Sequence, residues 1–188
     1  MNKLLSALAI LLVAVNAQAI PTHYTGEISG VHSSYESSLD INFGWVNPPF
    51  GLNQWSNDVS LWGIEGTAGE KLSLDLTSDQ MSLGFSLYFG VIDSLDLLMG
   101  SFNNSADVGA AQYLVGSNLW DSVQTLTDFN LSQTGFYTLV VGGKDFGGYS
   151  GYEYSMNVSQ VPEPAAFLLL GSGLFGIVAL RRRQRRTL

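Results

Sequence analysis

The sequence contains no cysteine, only two histidines and only 8 basic side chains in 188 residues. The absence of cysteine excludes disulfide frameworks, thiolate zinc sites and cysteine nucleophiles. The 16 acidic residues give the chain a formal charge of −8. This charge argues against nucleic acid as a partner, because binding to phosphates requires an excess of Lys and Arg. The length suits one globular domain with short appendages.

Recognisable catalytic motifs are also missing. The two histidines, His23 and His32, precede any strong strand pattern, so we predict exposed loop histidines rather than members of a Ser-His-Asp triad. The chain has no G-x-S-x-G elbow, and its carboxylates form no recognisable pair for glycoside hydrolysis. The sequence therefore predicts a protein that is not an enzyme, with no catalytic residues and no cofactor. A secreted hydrolase without a recognisable motif is the alternative.

Residues 1–19 have the pattern of a secretory signal peptide. Lys3 supplies the positive charge, and Leu4–Val15 forms an apolar run that is too short to span a bilayer. Ala17 and Ala19 form the small-x-small signature of a cleavage site. We therefore predict export and cleavage after Ala19. The alternative for this segment is an uncleaved anchor helix.

The C-terminal end predicts one membrane-spanning helix. Residues 165–180 carry no charge and, as a helix rising about 1.5 Å per residue, would cover roughly 24 Å. A basic tail, residues 181–188, follows at once, and the positive-inside rule places it in the cytoplasm. The predicted stop-transfer residues are Arg181, Arg182, Arg183, Arg185 and Arg186. Before any processing, the exported body would thus be anchored in the inner membrane.

A short motif precedes the apolar segment. Val161, Pro162, Glu163 and Pro164 cannot lie inside a helix, because two prolines fix φ and remove backbone donors. This motif, the apolar helix and the arginine cluster together make residues 161–188 resemble a PEP-CTERM sorting signal. The resemblance implies processing by an exosortase, a membrane protease-transferase of Gram-negative bacteria that make exopolysaccharide. The tail would be removed and the body passed to the cell surface or extracellular matrix.

The segment between the two ends, residues 20–160, predicts an exported all-β domain. Apolar and polar residues alternate with period two in residues 72–77, 83–89 and 152–159, which is typical of half-buried strands. Phe136–Val141 is a continuous apolar and β-branched run, typical of a central strand covered on both faces. Turn-forming residues separate the strands at 66–69, 77–79, 133–135 and 142–148. Strands of this spacing predict an antiparallel β-sandwich.

The order of these strands is similar to that of a known bacterial domain. The matching pieces are D-V-S-L-W at 58–62, A-G-E-K-L-S-L at 68–74, the strand 83–91, G-F-Y-T-L-V-V at 135–141 and G-Y-E-Y-S-M-N-V at 151–158. Together they resemble the pre-peptidase C-terminal (PPC-like) β-sandwich, which implies a PPC-like or jelly-roll type sandwich serving as a non-catalytic accessory module. Residues 106–125 depart from this pattern, and we predict either a helical turn or a long loop at residues 106–123.

Aromatic residues are the candidates for glycan binding. Trp45, Trp55 and Tyr149 lie in segments rich in Gly, Pro and Asn, and flat aromatic faces stack on sugar rings. The alternative is that such rings belong to the sandwich core. Trp62 lies on a predicted strand, and we expect it to be buried.

Calcium is a second candidate ligand of the β domain. Oxygen-rich loops suit hard cations, and the chain has three such loops. They lie at residues 93–96, 103–107 and 145–148. No loop reproduces an EF-hand, and ordinary turn-forming Asp and Asn residues explain the pattern equally well. We therefore assign no metal-ligating residue, and a calcium-binding module remains an alternative function.

The charge is divided unevenly between the segments. Residues 20–161 hold 15 acidic and 2 basic side chains, a formal charge of −13. Such a body repels nucleic acid and anionic lipid and suits cations or neutral sugars as partners. The sequence thus predicts a non-enzymatic surface or matrix protein, sorted by exosortase and associated with exopolysaccharide. The alternative is a carbohydrate- or calcium-binding module.

Overall fold

The structure is a computed structural model that describes residues 20–39, 59–93, 106–117, 124–144 and 151–162. Within these ranges the chain forms nine strands and no helix. The strands are β1 (Gly26–Ile28), β2 (His32–Leu39), β3 (Ser60–Gly66), β4 (Lys71–Thr77), β5 (Ser82–Phe89), β6 (Gln112–Gly116), β7 (Thr125–Asn130), β8 (Gly135–Lys144) and β9 (Tyr152–Val161). The predicted all-β class is confirmed.

The strands form two sheets that face each other as a sandwich. The five-stranded sheet has the order β1-β3-β8-β5-β6, and the four-stranded sheet has the order β2-β9-β4-β7. The paired strands are antiparallel except for β1 and β3, which run parallel. The two C-terminal strands therefore lie in interior positions, because β8 has β3 and β5 as neighbours and β9 has β2 and β4.

The main core lies between the sheets. The period-two pattern of β4 buries Leu72, Leu74 and Leu76, and the residues between them are exposed or half-buried. Trp62 is buried as expected, and its indole Nε1 donates a hydrogen bond of 2.9 Å to the Tyr154 hydroxyl of β9. Each fully buried large apolar side chain contributes about 1.5–3 kcal/mol. Contacts across the core thus tie the four-stranded sheet to the five-stranded sheet.

The outer face of the five-stranded sheet is covered as well. Phe136–Val141 in β8 is buried at every position, as its continuous apolar pattern predicts. β5 is buried on both faces too, including Ser86 and Tyr88, so the prediction of a half-buried strand is wrong there. The second core cluster on this face consists of Tyr24, Leu61, Tyr88, Ile92, Val108, Ala111, Phe136 and Val140.

The first described residues help to cover that outer face. Ile20 packs against the second cluster, and the Tyr24 hydroxyl lies 2.6 Å from Thr138 Oγ1 in β8. The same hydroxyl accepts a hydrogen bond of 3.0 Å from the Ile92 backbone N–H. His23 Nε2 donates to the Ile92 carbonyl at 2.7 Å. His23 is therefore half-buried and bonded, rather than an exposed loop residue as predicted.

Three further predictions are corrected by the strand assignments. His32 is exposed, but it begins β2 instead of lying in a loop. Residues 106–117 form neither a helical turn nor a long loop, since a bridge between Val108 and Ala111 leads into β6. The predicted turn at 142–148 starts too early, because β8 continues to Lys144 by pairing with β5. β2 pairs with β9, and both β6 and the end of β8 pair with β5, so strands distant in the sequence supply partners that local patterns do not reveal.

Candidate functional site

The outer face of the four-stranded sheet is exposed and polar. The strand register aligns its outward side chains in four cross-strand rows, which we call the polar face. The rows are His32, Ser159 and Ser73; then Ser34, Asn157, Asp75 and Thr125; then Glu36, Ser155 and Thr77; then Ser38 and Glu153. The exposed groups are thus mainly hydroxyls, with one amide, one imidazole and three carboxylates. All of them are exposed or half-buried.

Local hydrogen bonds fix the shape of this face. Thr77 Oγ1 and Ser155 Oγ lie 2.6 Å apart across β4 and β9. At the other edge Asp128 has a positive φ of 50°, and its backbone N–H donates to Ser73 Oγ at 3.0 Å. The register of β4 and β7 shifts at this point, between Leu72 and Leu74, as in a β-bulge. The polar face is therefore a shallow ordered surface rather than an enclosed pocket.

The polar face ends where the chain leaves the sandwich. Val161 is the last residue of β9 and pairs with Lys71 of β4. Pro162 follows outside the strand and is exposed. Because proline has no backbone N–H, it cannot continue the ladder of hydrogen bonds. The strand therefore ends at Val161, the first residue of the predicted sorting signal, and Pro162 stops it from continuing.

Hydrogen bonds on the inward side of β9 secure the end of this strand. Gln160 Nε2 donates hydrogen bonds of 2.7 Å to the Glu65 carbonyl oxygen and to Glu70 Oε2. Glu70 Oε2 also accepts a hydrogen bond of 2.8 Å from the Thr67 backbone N–H. We call this set of contacts the Gln160 bridge. It connects β9 of the four-stranded sheet to β3 of the other sheet.

Gln160 was not predicted from the sequence, although the alternating pattern of β9 contained a signal for it. Tyr152, Tyr154, Met156 and Val158 alternate on the inward side of β9, and residue 160 is the next in phase. A polar side chain at an inward position requires hydrogen-bond partners, because an unpaired buried amide is costly. The identity of those partners depends on the β3–β4 turn, which no local pattern in β9 reveals.

Two buried tyrosines, Tyr154 in the core and Tyr24 on the opposite side of the sandwich, serve as structural hydrogen-bonding groups. Burial raises the pKa of Tyr154, while hydrogen bonds with Ser60, Trp62 and Ser37 lower it. Burial likewise raises the pKa of Tyr24 on the opposite side of the sandwich. Both hydroxyls therefore stay neutral near pH 7 and serve as hydrogen-bonding groups.

Most residues predicted to be functional lie outside the described ranges. These are the glycan candidates Trp45, Trp55 and Tyr149, the signal-peptide residues Ala17 and Ala19, the motif residues Glu163 and Pro164, the five arginines and the apolar segment 165–180. The calcium-candidate loops are described only at Asp93, Ala106 and Asp107. There Asp107 Oδ1 accepts a hydrogen bond of 2.7 Å from the Tyr113 backbone N–H, as in an ordinary turn.

The described ranges offer neither a metal-binding cluster nor a membrane-spanning helix. Those residues contain no group of three or more His, Cys, Asp or Glu side chains placed to hold a metal ion. No helix in the same ranges is long and apolar enough to cross a membrane.

Comparison with solved structures shows the fold. CorA, a surface-associated copper-binding protein of Methylomicrobium album BG8, superposes with a TM-score of 0.55 at 13% identity, covering 74% of this chain and 99% of CorA. PliG, a periplasmic inhibitor of g-type lysozyme, superposes less well. The Aeromonas hydrophila protein gives a TM-score of 0.45 at 11% identity, covering 73% of this chain and 96% of that protein. The Salmonella Typhimurium protein gives 0.38 at 15% identity, covering 71% and 95%.

Comparison by sequence identifies the C-terminal segment. No curated protein matches the chain. A family model does match, over residues 160–183, and the matched segment begins at the second-last residue of β9. It contains the predicted Pro-Glu-Pro residues, the whole apolar segment and the first three arginines. The sorting signal predicted from the sequence is confirmed: the chain carries a PEP-CTERM protein-sorting motif at the C-terminal end of its β-sandwich body.

Proposed function

We propose that this protein is an exported bacterial surface or matrix component that an exosortase sorts through its C-terminal motif. The observation that carries the proposal is the match of residues 160–183 to the sorting motif, placed where the last strand of the sandwich ends. The body serves as the cargo, and the motif serves as its address.

The proposed route uses both ends of the chain. Residues 1–19 direct export and are removed, while residues 165–180 span the inner membrane with residues 181–188 in the cytoplasm. Exosortase then breaks one peptide bond beyond the body. The acyl end of the body passes to water or to an acceptor nucleophile, and a proton goes to the amine of the released tail. The body then reaches the cell surface or matrix.

Intact-mass analysis of the protein from its native host tests this route. We expect a species that begins at Ile20 and lacks residues 165–188, with any acceptor group visible as added mass. Lysine substitutions of Pro162 and Glu163 serve as the control and should leave the tail in place. Retention of residues 165–188 in the surface fraction of the unmodified protein would contradict exosortase processing.

We further propose that the body is non-enzymatic and contacts exopolysaccharide through the polar face. Rows of hydroxyl, amide and carboxylate groups, such as Ser34, Asn157 and Asp75, match the donors and acceptors of sugar hydroxyls. The charge of −13 on residues 20–161 favours a neutral polysaccharide, because an anionic one would be repelled.

Binding of the residue 20–162 fragment to neutral exopolysaccharide from the host tests the polar face. We expect the double substitution Asp75→Ala with Asn157→Ala to weaken co-sedimentation. Glu27→Ala, an exposed change on β1 of the other sheet, is the matched control and should bind normally. Equal binding by the unmodified fragment, the double variant and Glu27→Ala would contradict the assignment of the polar face as the binding surface.

Three alternative functions have distinct tests. If Trp45 and Trp55 bind glycan, polysaccharide quenches tryptophan fluorescence, and Trp45→Ala or Trp55→Ala abolishes the quenching. If the body is a calcium module, calcium raises its melting temperature and a chelator reverses the rise. A hydrolase alternative predicts glycosidase or esterase activity in the purified 20–162 fragment.

A further inference from the structure

The sorting motif begins inside the folded body. The family match starts at Gln160, yet Gln160 and Val161 are the last two residues of β9. In the register of β9 with β4, Gln160 pairs with Leu72 and Val161 pairs with Lys71. The Gln160 backbone N–H also donates to the Val31 carbonyl at 2.9 Å. No stretch of free chain therefore separates the sandwich from Pro162.

The Gln160 bridge holds this end of the strand in place. Both hydrogen bonds of Gln160 Nε2 are short, at 2.7 Å, and one of them goes to the carboxylate of Glu70. Hydrogen bonds to ionised acceptors are roughly twice as strong as those between neutral groups. The Thr67 backbone N–H fixes the same carboxylate oxygen, so Glu70 is already positioned for the glutamine. The bridge therefore resists fraying of β9 at the point where the motif starts.

The surface beside this exit differs from the rest of the described body. Val31 and Val161 are the two large hydrophobic side chains that the described residues expose, at 52% and 42%. Both lie at the end of β9, since the Val31 carbonyl is the partner of the Gln160 N–H. Exposed apolar groups at a chain exit suit contact with an apolar partner rather than with bulk water.

We propose that Gln160 is a positioning residue for the sorting reaction. By keeping the end of β9 in the sheet, it fixes the place at which the chain leaves the sandwich, at Val161 and Pro162. The membrane enzyme then meets the motif seated on a folded body, next to Val31 and Val161. This inference rests on the proposed exosortase sorting and adds a residue upstream of Pro-Glu-Pro.

Pulse-chase analysis in the native host tests the role of Gln160. The measured quantity is the rate at which the full chain loses residues 165–188, followed by intact mass. We expect Gln160→Ala to slow processing by about 3- to 10-fold, the effect of losing one net hydrogen bond. Gln160→Glu should slow it similarly, because a carboxylate cannot donate to Glu70. Gln133→Ala is the matched control, an exposed glutamine at the same end of the sandwich, and should be processed normally.

A second variant keeps the test valid if a Gln160 substitution impairs folding. Insertion of a flexible Gly-Ser segment between Val161 and Pro162 leaves all sandwich contacts intact but releases the motif from the body, and should also slow processing. Hydrogen exchange at the backbone amide of residue 160 should accelerate in Gln160→Ala, and a retained cooperative thermal transition shows that the variant still folds. Normal processing of Gln160→Ala and the insertion variant would overturn the positioning role alone. A tail retained in the unmodified protein would overturn the sorting proposal, and the positioning role with it.

Discussion

The two sheets of the sandwich share one core but differ in what covers their outer faces. The three inner strands of the five-stranded sheet, β3, β8 and β5, are buried on both faces, by the main core on one side and by the second cluster around Tyr88 and Phe136 on the other. The four-stranded sheet is buried on one face and presents hydroxyl, amide and carboxylate groups on the other. The difference assigns a structural role to the five-stranded sheet and leaves the four-stranded sheet available for contacts.

The position of the sorting motif follows the same division. β9, which leads into the motif, belongs to the four-stranded sheet, whereas the first described residues pack on the five-stranded sheet. The N-terminal end thus completes the structural layer, and the C-terminal end leaves beside the exposed layer. Substitutions that separate the two layers are the most direct way to test this division.

The largest expected effect is the loss of buried leucines on either face of the five-stranded sheet. Leu61→Ala on its outer side and Leu139→Ala on its inner side should each lower the free energy of unfolding by about 2–5 kcal/mol. Both side chains are almost fully buried, so each deletion leaves a cavity. Urea denaturation of the 20–162 fragment measures the change. A cost below about 1 kcal/mol for Leu61→Ala would show that the outer layer is loosely packed.

Alkaline pH should also weaken the structural layer. Burial raises the pKa of Tyr88 and of Tyr24, so both hydroxyls stay protonated in the folded state above their ordinary pKa of 10.0. The folded state then binds more protons than the unfolded state. Stability is therefore little affected below about pH 10 and falls above it, with a limiting slope of about 1.4 kcal/mol per pH unit for the more deeply buried Tyr88 and a smaller one for Tyr24. Melting curves between pH 8 and pH 11 measure the fall, which Tyr88→Phe should reduce. An unchanged slope in Tyr88→Phe would contradict the assignment.

A smaller effect is expected for the hydroxyl that ties the N-terminal segment to β8. Tyr24→Phe removes the partner of both Thr138 Oγ1 and the Ile92 N–H, and should cost about 1–3 kcal/mol. Tyr35→Phe is the matched control, because its hydroxyl contacts only exposed backbone groups of Ser29 and should cost less. Equal costs for the two variants in chemical denaturation would contradict the difference in burial.

The smallest effect is expected on the polar face. Asp75→Ala and Asn157→Ala should each change the free energy of unfolding by no more than about 0.5 kcal/mol, because both side chains are exposed. Leu74→Ala, one residue away but inward-facing, should cost about 2–5 kcal/mol. A large loss for Asp75→Ala in the same denaturation experiment would show that the polar face stabilises the fold.

The strands that were predicted from the sequence are those whose apolar pattern reflects which of their faces are buried. β4 and β9 alternate with period two because one face meets the core, and β8 is continuously apolar because both faces are covered. β2 was missed because serines occupy half of its positions, with Tyr35 and Leu39 as its large inward side chains. β7 was missed because the positive φ at Asp128 interrupts its alternation.

The candidate functional residues also divide into those that the sequence predicts and those that it does not. The sorting motif was predictable because its recognition depends on contiguous residues, 161–164 followed by an apolar run and arginines. The polar face and the Gln160 bridge were not predictable, because each depends on register between distant strands. Ser34, Asn157 and Asp75 become neighbours only through the pairing of β2, β9 and β4.

We infer that the body is cargo, which is released beyond the end of β9. Intact mass of the protein extracted from the surface of its native host tests this inference. The expected result is a chain that starts at Ile20 and has lost residues 165–188. A surface protein that still carries residues 165–188 would contradict it.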